Sequence, residues 1–277
     1  MNLLHPNNEV GLDALKYTCQ LVKFKTKNSN IPKGEACCVL LEFNNQFFAL
    51  SCAHVLGDGK ANEIQFIIDD NKSGRLGGRL ITSSLPQSSR REDDLWDIAV
   101  VLVDAISVDL LKLAGKAFLR MGDVLTGHVQ NSNDTLLIAG YPASRTKAPI
   151  EDKRVKFSSK PFLFFTQEAK NLRDEFDTGI HFFGQYPRKS LLRSSTPGTA
   201  VGPIPNGLSG SGFWHVVVDE GGLYRPQLIG IFTEYDDNRS LFVATKIDHH
   251  IEVIRKYFDS TIPNYGLRAN IRNNKTG

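Results

Sequence analysis

The stretch "NGLSGSGFW", Asn206–Trp214, places three glycines and two serines directly ahead of an aromatic, strand-like run. A tight hairpin needs one or two glycines. Three within six residues point to a backbone bent for another purpose. Glycine reaches left-handed conformations closed to other residues and lets a backbone approach its neighbours closely. Such a turn can expose a serine and aim amide N–H groups at a substrate oxygen. That reading requires a base and an orienting acid elsewhere in the chain. The turn lacks the Lys-Ser/Thr pair of a phosphate-binding P-loop.

Outward from this turn, short β-branched and aromatic runs recur between polar turns. Strands are expected at 38–43, 46–52, 63–69, 98–103, 135–140, 161–165, 213–219, 227–234 and 240–247. Asn44-Asn45 reads as the two-residue turn of a hairpin. Helical periodicity is scarce. A short helix fits 105–115, and a better one fits "DHHIEVIRKYF" (248–258), with Asp248 as its cap. Many short strands with few helices indicate a barrel or sandwich rather than alternating β/α units. Segments 85–94 and 186–206 read as long surface loops, and "RANIRNNKTG" as a frayed tail.

The chain has 277 residues, 41% hydrophobic and 23% charged, which is ordinary for a globular protein. Thirty-three basic residues against 30 acidic give a charge of +3, too weak to suggest nucleic acid as a partner. No apolar run approaches the length of a membrane span, so no membrane partner is expected. The first residues, "MNLLHPNNEVGLDALKY", lack the basic start and long apolar block of an export signal. Cys19, Cys37, Cys38 and Cys52 show no C-x-x-C spacing. A cytosolic location with reduced thiols, and no metal or cofactor, is expected.

Three short pieces carry the chemistry. "FALSCAHVL" ends a strand on His54, "DDLWDIAVVLVD" opens one at Asp97, and the glycine turn offers Ser209 or Ser211. Singly, each has a bland explanation: a surface histidine, a strand-end charge, an ordinary loop. In the order His, Asp, Ser they resemble the trypsin/chymotrypsin-like serine protease family. "SCAHV" is similar to its His motif, "DIAV" (97–100) to its Asp motif, and Gly207-Leu208-Ser209-Gly210-Ser211-Gly212 to its nucleophile motif. "LIAGYP" (137–142) and "QLIGIFTEY" (227–235) extend the likeness to roughly residues 18–258. The branch resembled is the non-secreted bacterial and viral one.

The resemblance implies an all-β fold of two six-stranded antiparallel barrels and a C-terminal helix. Residues 1–17 would be an N-terminal extension. Residues 18–130 would form a first barrel with His54 and Asp97, and 131–247 a second with Ser209. Residues 248–277 would form the closing helix and tail. It implies a polypeptide substrate, with Ser209 as nucleophile, His54 as base, Asp97 orienting it, and the Gly207 and Ser209 amides as oxyanion hole. Pro203 would lie at the pocket base and Thr233, Glu234, Tyr235 and Phe242 along its wall. An uncharged base suits a small or medium apolar residue before the cleaved bond.

Departures matter too. Val55 replaces the half-cystine that follows the histidine in secreted members. Leu208 replaces their aspartate, which pairs with a freed N-terminal amine, and no such cleavage site precedes "KGEACCVLLEF". Control, where it exists, is then expected through a protein activator or an ordered loop. A silent binding module of the same fold is the competing reading. An α/β-hydrolase is disfavoured, because Ser211 breaks its G-x-S-x-G string. His249 and His250 are expected at the surface, His181 in packing, solvent or a binding site, and His215 in a structural role. Trp96 is expected to pack over the triad or between barrels, and Cys52 to be a buried apolar residue.

Overall fold

The computed structural model describes residues 8–24, 32–69, 72–147, 150–151, 154–155, 157–169, 177–192, 199–264 and 271–273. Two curled antiparallel sheets dominate it. The first uses β1 (Thr18–Phe24), β2 (Pro32–Phe43), β3 (Gln46–Ser51), β4 (Ile64–Asp69), β5 (Lys72–Arg75), β6 (Gly78–Ser83) and β7 (Ala99–Val103). The second uses β8 (Leu136–Gly140), β9 (Phe162–Thr166), β10 (His181–Gln185), β11 (Gly212–Val218), β12 (Tyr224–Asp236) and β13 (Leu241–Lys246). A last strand, β14 (Ile271–Asn273), returns to the first sheet.

The first sheet runs β14-β6-β7-β3-β2-β1-β4-β5, with Leu119–Arg120 parallel beside β2, nine strands in all. The second runs β9-β8-β11-β12-β13-β10, six strands. Its ends are tied by Ala169 N–H to Phe183 O and Gln185 N–H to Gln167 O. The β2–β3 hairpin turns on Asn44 (φ 48°) and Asn45 (φ 59°), the left-handed pair that such a turn demands. Helices are few: α1 (Asn8–Lys16), the single turn α2 (Ala53–Leu56), α3 (Ala105–Leu113) and α4 (Ile247–Tyr257). None is long and apolar enough to cross a membrane.

The core sits at the seam as much as inside each sheet. On β8, Leu136 and Ile138 join the second sheet's own interior with Phe182, Phe213 and Phe242. Their neighbours Leu137 and Ala139 join a larger cluster shared with the first sheet, α1 and α4. Period-2 alternation therefore buries both faces of this strand. Helix α1 presents Val10, Ala14 and Leu15 to this seam, so the N-terminal segment is a strap across it.

Several expectations change here. The tail is not wholly frayed: Ile271–Asn273 pairs with β6. The loop 85–94 is anchored by Arg91, buried with its guanidinium on Asp58 (2.9 and 3.2 Å) and Asp94 (2.9 Å). Asp248 does not cap α4. It accepts from the Gly127 amide at 2.6 Å, tying the helix to the inter-sheet connection. His249 and His250 are buried, because α4 packs against β7 as well as β12 and β13. His250 Nε2 donates to Ser51 O at 3.2 Å. Neither ring nitrogen of His249 reaches hydrogen-bond geometry among the described residues, although the Gly179 backbone approaches it. Trp96 meets the His249 ring edge-on at 4.7 Å. Strands β1, β6 and β10 were not expected: their runs are mixed with lysine, glycine and glutamine.

Burial lowers both His249 and His250 to about 4. An unfolded histidine titrates near 6.5, at roughly the free imidazole value. Between those values the unfolded chain takes up protons that the folded chain refuses, so acid favours unfolding. Melting temperature should fall as pH drops from about 6.5 toward 4. His249→Phe keeps the contact with Trp96 and should flatten that slope. An unchanged slope by calorimetry would contradict this.

Candidate active site

His54 lies in α2, the single turn that closes β3. Asp97 stands just before β7, the neighbour of β3, so strand pairing alone brings the two together. Asp97 Oδ2 meets His54 Nδ1 at 2.6 Å and Oδ1 accepts the His54 amide at 2.8 Å. One carboxylate thus fixes both ring and backbone. Its own backbone is in the left-handed region (φ 45°), which aspartate tolerates better than most side chains. The carbonyls ahead of it are held from the second sheet. His181 Nε2 donates to Leu95 O at 2.7 Å and Thr245 Oγ1 to Trp96 O at 2.9 Å.

Burial opposes a charge on His54, but the hydrogen bond and charge of Asp97 outweigh it, and the imidazole's pKa is raised. Glu234 adds to the rise and Lys60 subtracts from it. Lys60 Nζ also donates to His54 O at 2.9 Å. Cys52, His54 and Asp97 could share a metal ion by distance alone. Burial pushes the Cys52 thiol well up, against the thiolate a metal needs, and Sγ donates to Phe232 O at 3.2 Å. The set therefore fits a hydrogen-bonded pair beside a structural thiol.

The glycine turn sits at the seam. Cys37 N–H, from β2, donates to Ser209 O at 2.7 Å. Gly210 takes φ 87°, and a Cβ there would strike Cys37 O. Gly207 takes φ 90°, and a Cβ there would lie 2.6 Å from Ala143 N. The amides of Leu208, Gly210 and Ser211 donate to Pro205, Phe232 and Leu208 carbonyls. Those of Gly207 and Ser209 have no acceptor among the described residues. Ser209 is half-buried, and its Oγ donates to Thr233 O at 3.2 Å. No hydrogen bond joins Ser209 Oγ to His54 among the described residues. Ser211 is fully buried, with its Oγ against Gly140.

Near the turn, Pro203 O accepts from Tyr186 Oη at 2.8 Å. Thr233 is buried, Glu234 exposed, and Tyr235 half-buried with its Oη on Asp237 (3.1 Å). Phe242 is wholly buried, stacked on Tyr186 at 4.1 Å, so it backs this wall from inside rather than presenting a face. Sequence reasoning missed Tyr186, Thr245 and Cys37 as partners of the site, and left His181 open between packing, solvent and a binding site. "GIHFFGQYP" is the one signal that could have flagged two of them, as strand alternation between two loops.

Paired beside two curled antiparallel sheets and a closing helix, these residues occupy a trypsin/chymotrypsin double-barrel architecture, the fold of serine proteases. The chain is similar to the thermostable serine protease AL20 from an extremophilic microorganism. That likeness has a TM-score of 0.50 and 11% identity over 89% of this chain and 98% of that one. It is also similar to the serine endoprotease from Yersinia pestis, with a TM-score of 0.50 and 15% identity over 92% of this chain and 67% of that one. No family model matches the chain, and no curated protein matches it significantly.

Asp97→Asn keeps the shape of the acceptor but removes its charge. The His54 imidazole, followed by NMR, should then titrate at lower pH than in the parent protein. A titration that does not move would mean that Asp97 is not what raises it.

Proposed function

We propose that the protein is a serine endopeptidase, working through His54, Asp97 and Ser209. One observation carries this reading. The amides of Leu208, Gly210 and Ser211 are bonded to backbone carbonyls, while those of Gly207 and the partly exposed Ser209 have no acceptor among the described residues and suit one from outside. A carbonyl oxygen that becomes an oxyanion is such an acceptor.

In this mechanism a staggered rotation of Ser209 swings Oγ from Thr233 O toward His54 Nε2. His54 takes the hydroxyl proton as Oγ attacks the scissile carbonyl carbon. The negative oxygen is held by the two amides. His54 then gives its proton to the leaving amine, and water repeats the cycle on the acyl-enzyme. Asp97 holds Nδ1–H and stabilises the imidazolium. Activity needs neutral His54, so it falls as pH drops through the raised His54 value. The uncharged Pro203 and the Tyr186–Phe242 stack favour a small or medium apolar residue before the cleaved bond.

Ser209 Oγ on Thr233 O is a resting arrangement. It supports a switch by a protein activator or, as the second reading, a silent binding module of the same fold. Constant activity of the isolated chain on unfolded proteins would remove both.

A fluorophosphonate probe tests the main reading. Labelling should be retained in Ser211→Ala and abolished in Ser209→Ala. Asp97→Asn should slow turnover by roughly 10⁴-fold. Equal labelling of Ser209→Ala would overturn the assignment.

A further inference from the structure

A second cluster of ligating side chains lies outside the His54–Asp97 pair. His128 follows the inter-sheet connection at Gly127, Asp134 ends the turn that leads into β8, and His215 is on β11 opposite Leu136 of β8. We propose that His128, Asp134 and His215 bind one divalent transition-metal ion of the zinc class. This inference is independent of the protease reading.

The spacing is that of a coordination shell. His128 Nε2 is 3.0 Å from Asp134 Oδ2, and His215 Nε2 is 3.5 Å from Asp134 Oδ1. All three donor atoms lie within 4.8 Å of one another. A tetrahedral ion with bonds of about 2.0–2.1 Å sets its donors about 3.3–3.4 Å apart, so it would replace the His128–Asp134 hydrogen bond and draw the three donors to that spacing. The carboxylate is buried and pre-oriented: Oδ2 accepts the Asn131 amide at 2.9 Å and Oδ1 its Nδ2 at 2.8 Å. Outer partners of this kind fix metal-binding carboxylates.

The second observation concerns His215. Its ring makes no hydrogen bond among the described residues. Nδ1 has no partner among the described residues, and Nε2 faces Asp134 Oδ1 at 3.5 Å, too wide for good hydrogen-bond geometry. A histidine kept for hydrogen bonding would close that gap, whereas an ion fits within it. The His128 and His215 rings stack at 4.7 Å and 28°, with both Nε2 atoms directed at one carboxylate. Two imidazoles and one carboxylate suit zinc, cobalt or nickel rather than the oxygen-seeking calcium or magnesium. Three protein donors leave a fourth position for water. The ion would tie the 127–134 connection to β11, the strand that leads out of the glycine turn.

The test uses the full chain carrying His54→Gln, which removes the Cys52–His54–Asp97 set as a competing site. After treatment with chelator, the protein is equilibrated with zinc chloride, desalted and analysed for metal. One zinc per chain is expected, with a melting temperature several degrees higher than in chelator. His215→Gln and His128→Gln should each lose the zinc and the shift. Loading with cobalt should give tetrahedral ligand-field bands without a thiolate charge-transfer band, a readout that holds even if a variant fails to fold. Absence of stoichiometric zinc, its retention in either folded variant, or a cobalt–thiolate band would overturn the proposal.

Discussion

The hydrogen bond from the Cys37 amide to Ser209 O joins the two sheets where the glycine turn meets the seam. It constrains much around it. A backbone that close to β2 has no room for a side chain at position 210, which is why Gly210 lies against Cys37 O. Ser51 Oγ in turn donates to Cys37 O at 2.8 Å, so the contact is held from β3, the strand that ends in His54. Histidine and serine are therefore registered through two strands and these two hydrogen bonds.

The reverse direction is equally specific. Asp97 belongs to the first sheet, but the turn that delivers it is grasped by His181 and Thr245 of the second. Its left-handed backbone, costly for most residues, is over-determined by those bonds and by its own hold on His54. Each sheet thus fixes a residue on the other side of the seam. The shared apolar cluster, which includes Leu137, Trp214 and Ile231 with α1 and α4, supplies the area that keeps the seam shut.

The local grammar of the chain reveals much of this. Asn44-Asn45 predicts its hairpin, and the short apolar, β-branched runs "TLLIAG" and "QLIGIFTE" predict β8 and β12. The candidate triad is legible because its residues sit in short motifs at strand ends, although the pairing that joins them is long-range. Long-range burial is not legible in that way. His249 and His250 look like polar residues on an ordinary helix, and only the docking of α4 between the sheets buries them. Likewise His215 is far in sequence from His128 and Asp134 and meets them only because β8 pairs with β11. Asp248 fits a helix cap by position, but a tertiary partner, the Gly127 amide, claims its carboxylate instead.

Leu208 bears on how such a turn is held at all. In secreted trypsin-like enzymes this position is an aspartate whose partner is an amine released by cleavage. Here the side chain is wholly buried, in the apolar interior of the second sheet with Phe213, Phe232 and Tyr186. Burying a leucine in this way is worth about 1.5–3 kcal/mol, enough to anchor a turn without an ion pair. The anchor is present as soon as the sheet folds, so the arrangement of free amides at Gly207 and Ser209 does not wait on a new N-terminus. The Ser209 hydroxyl, resting on Thr233 O, lies just beyond this anchored backbone, so its position is set by a side-chain rotation rather than by the fold of the turn.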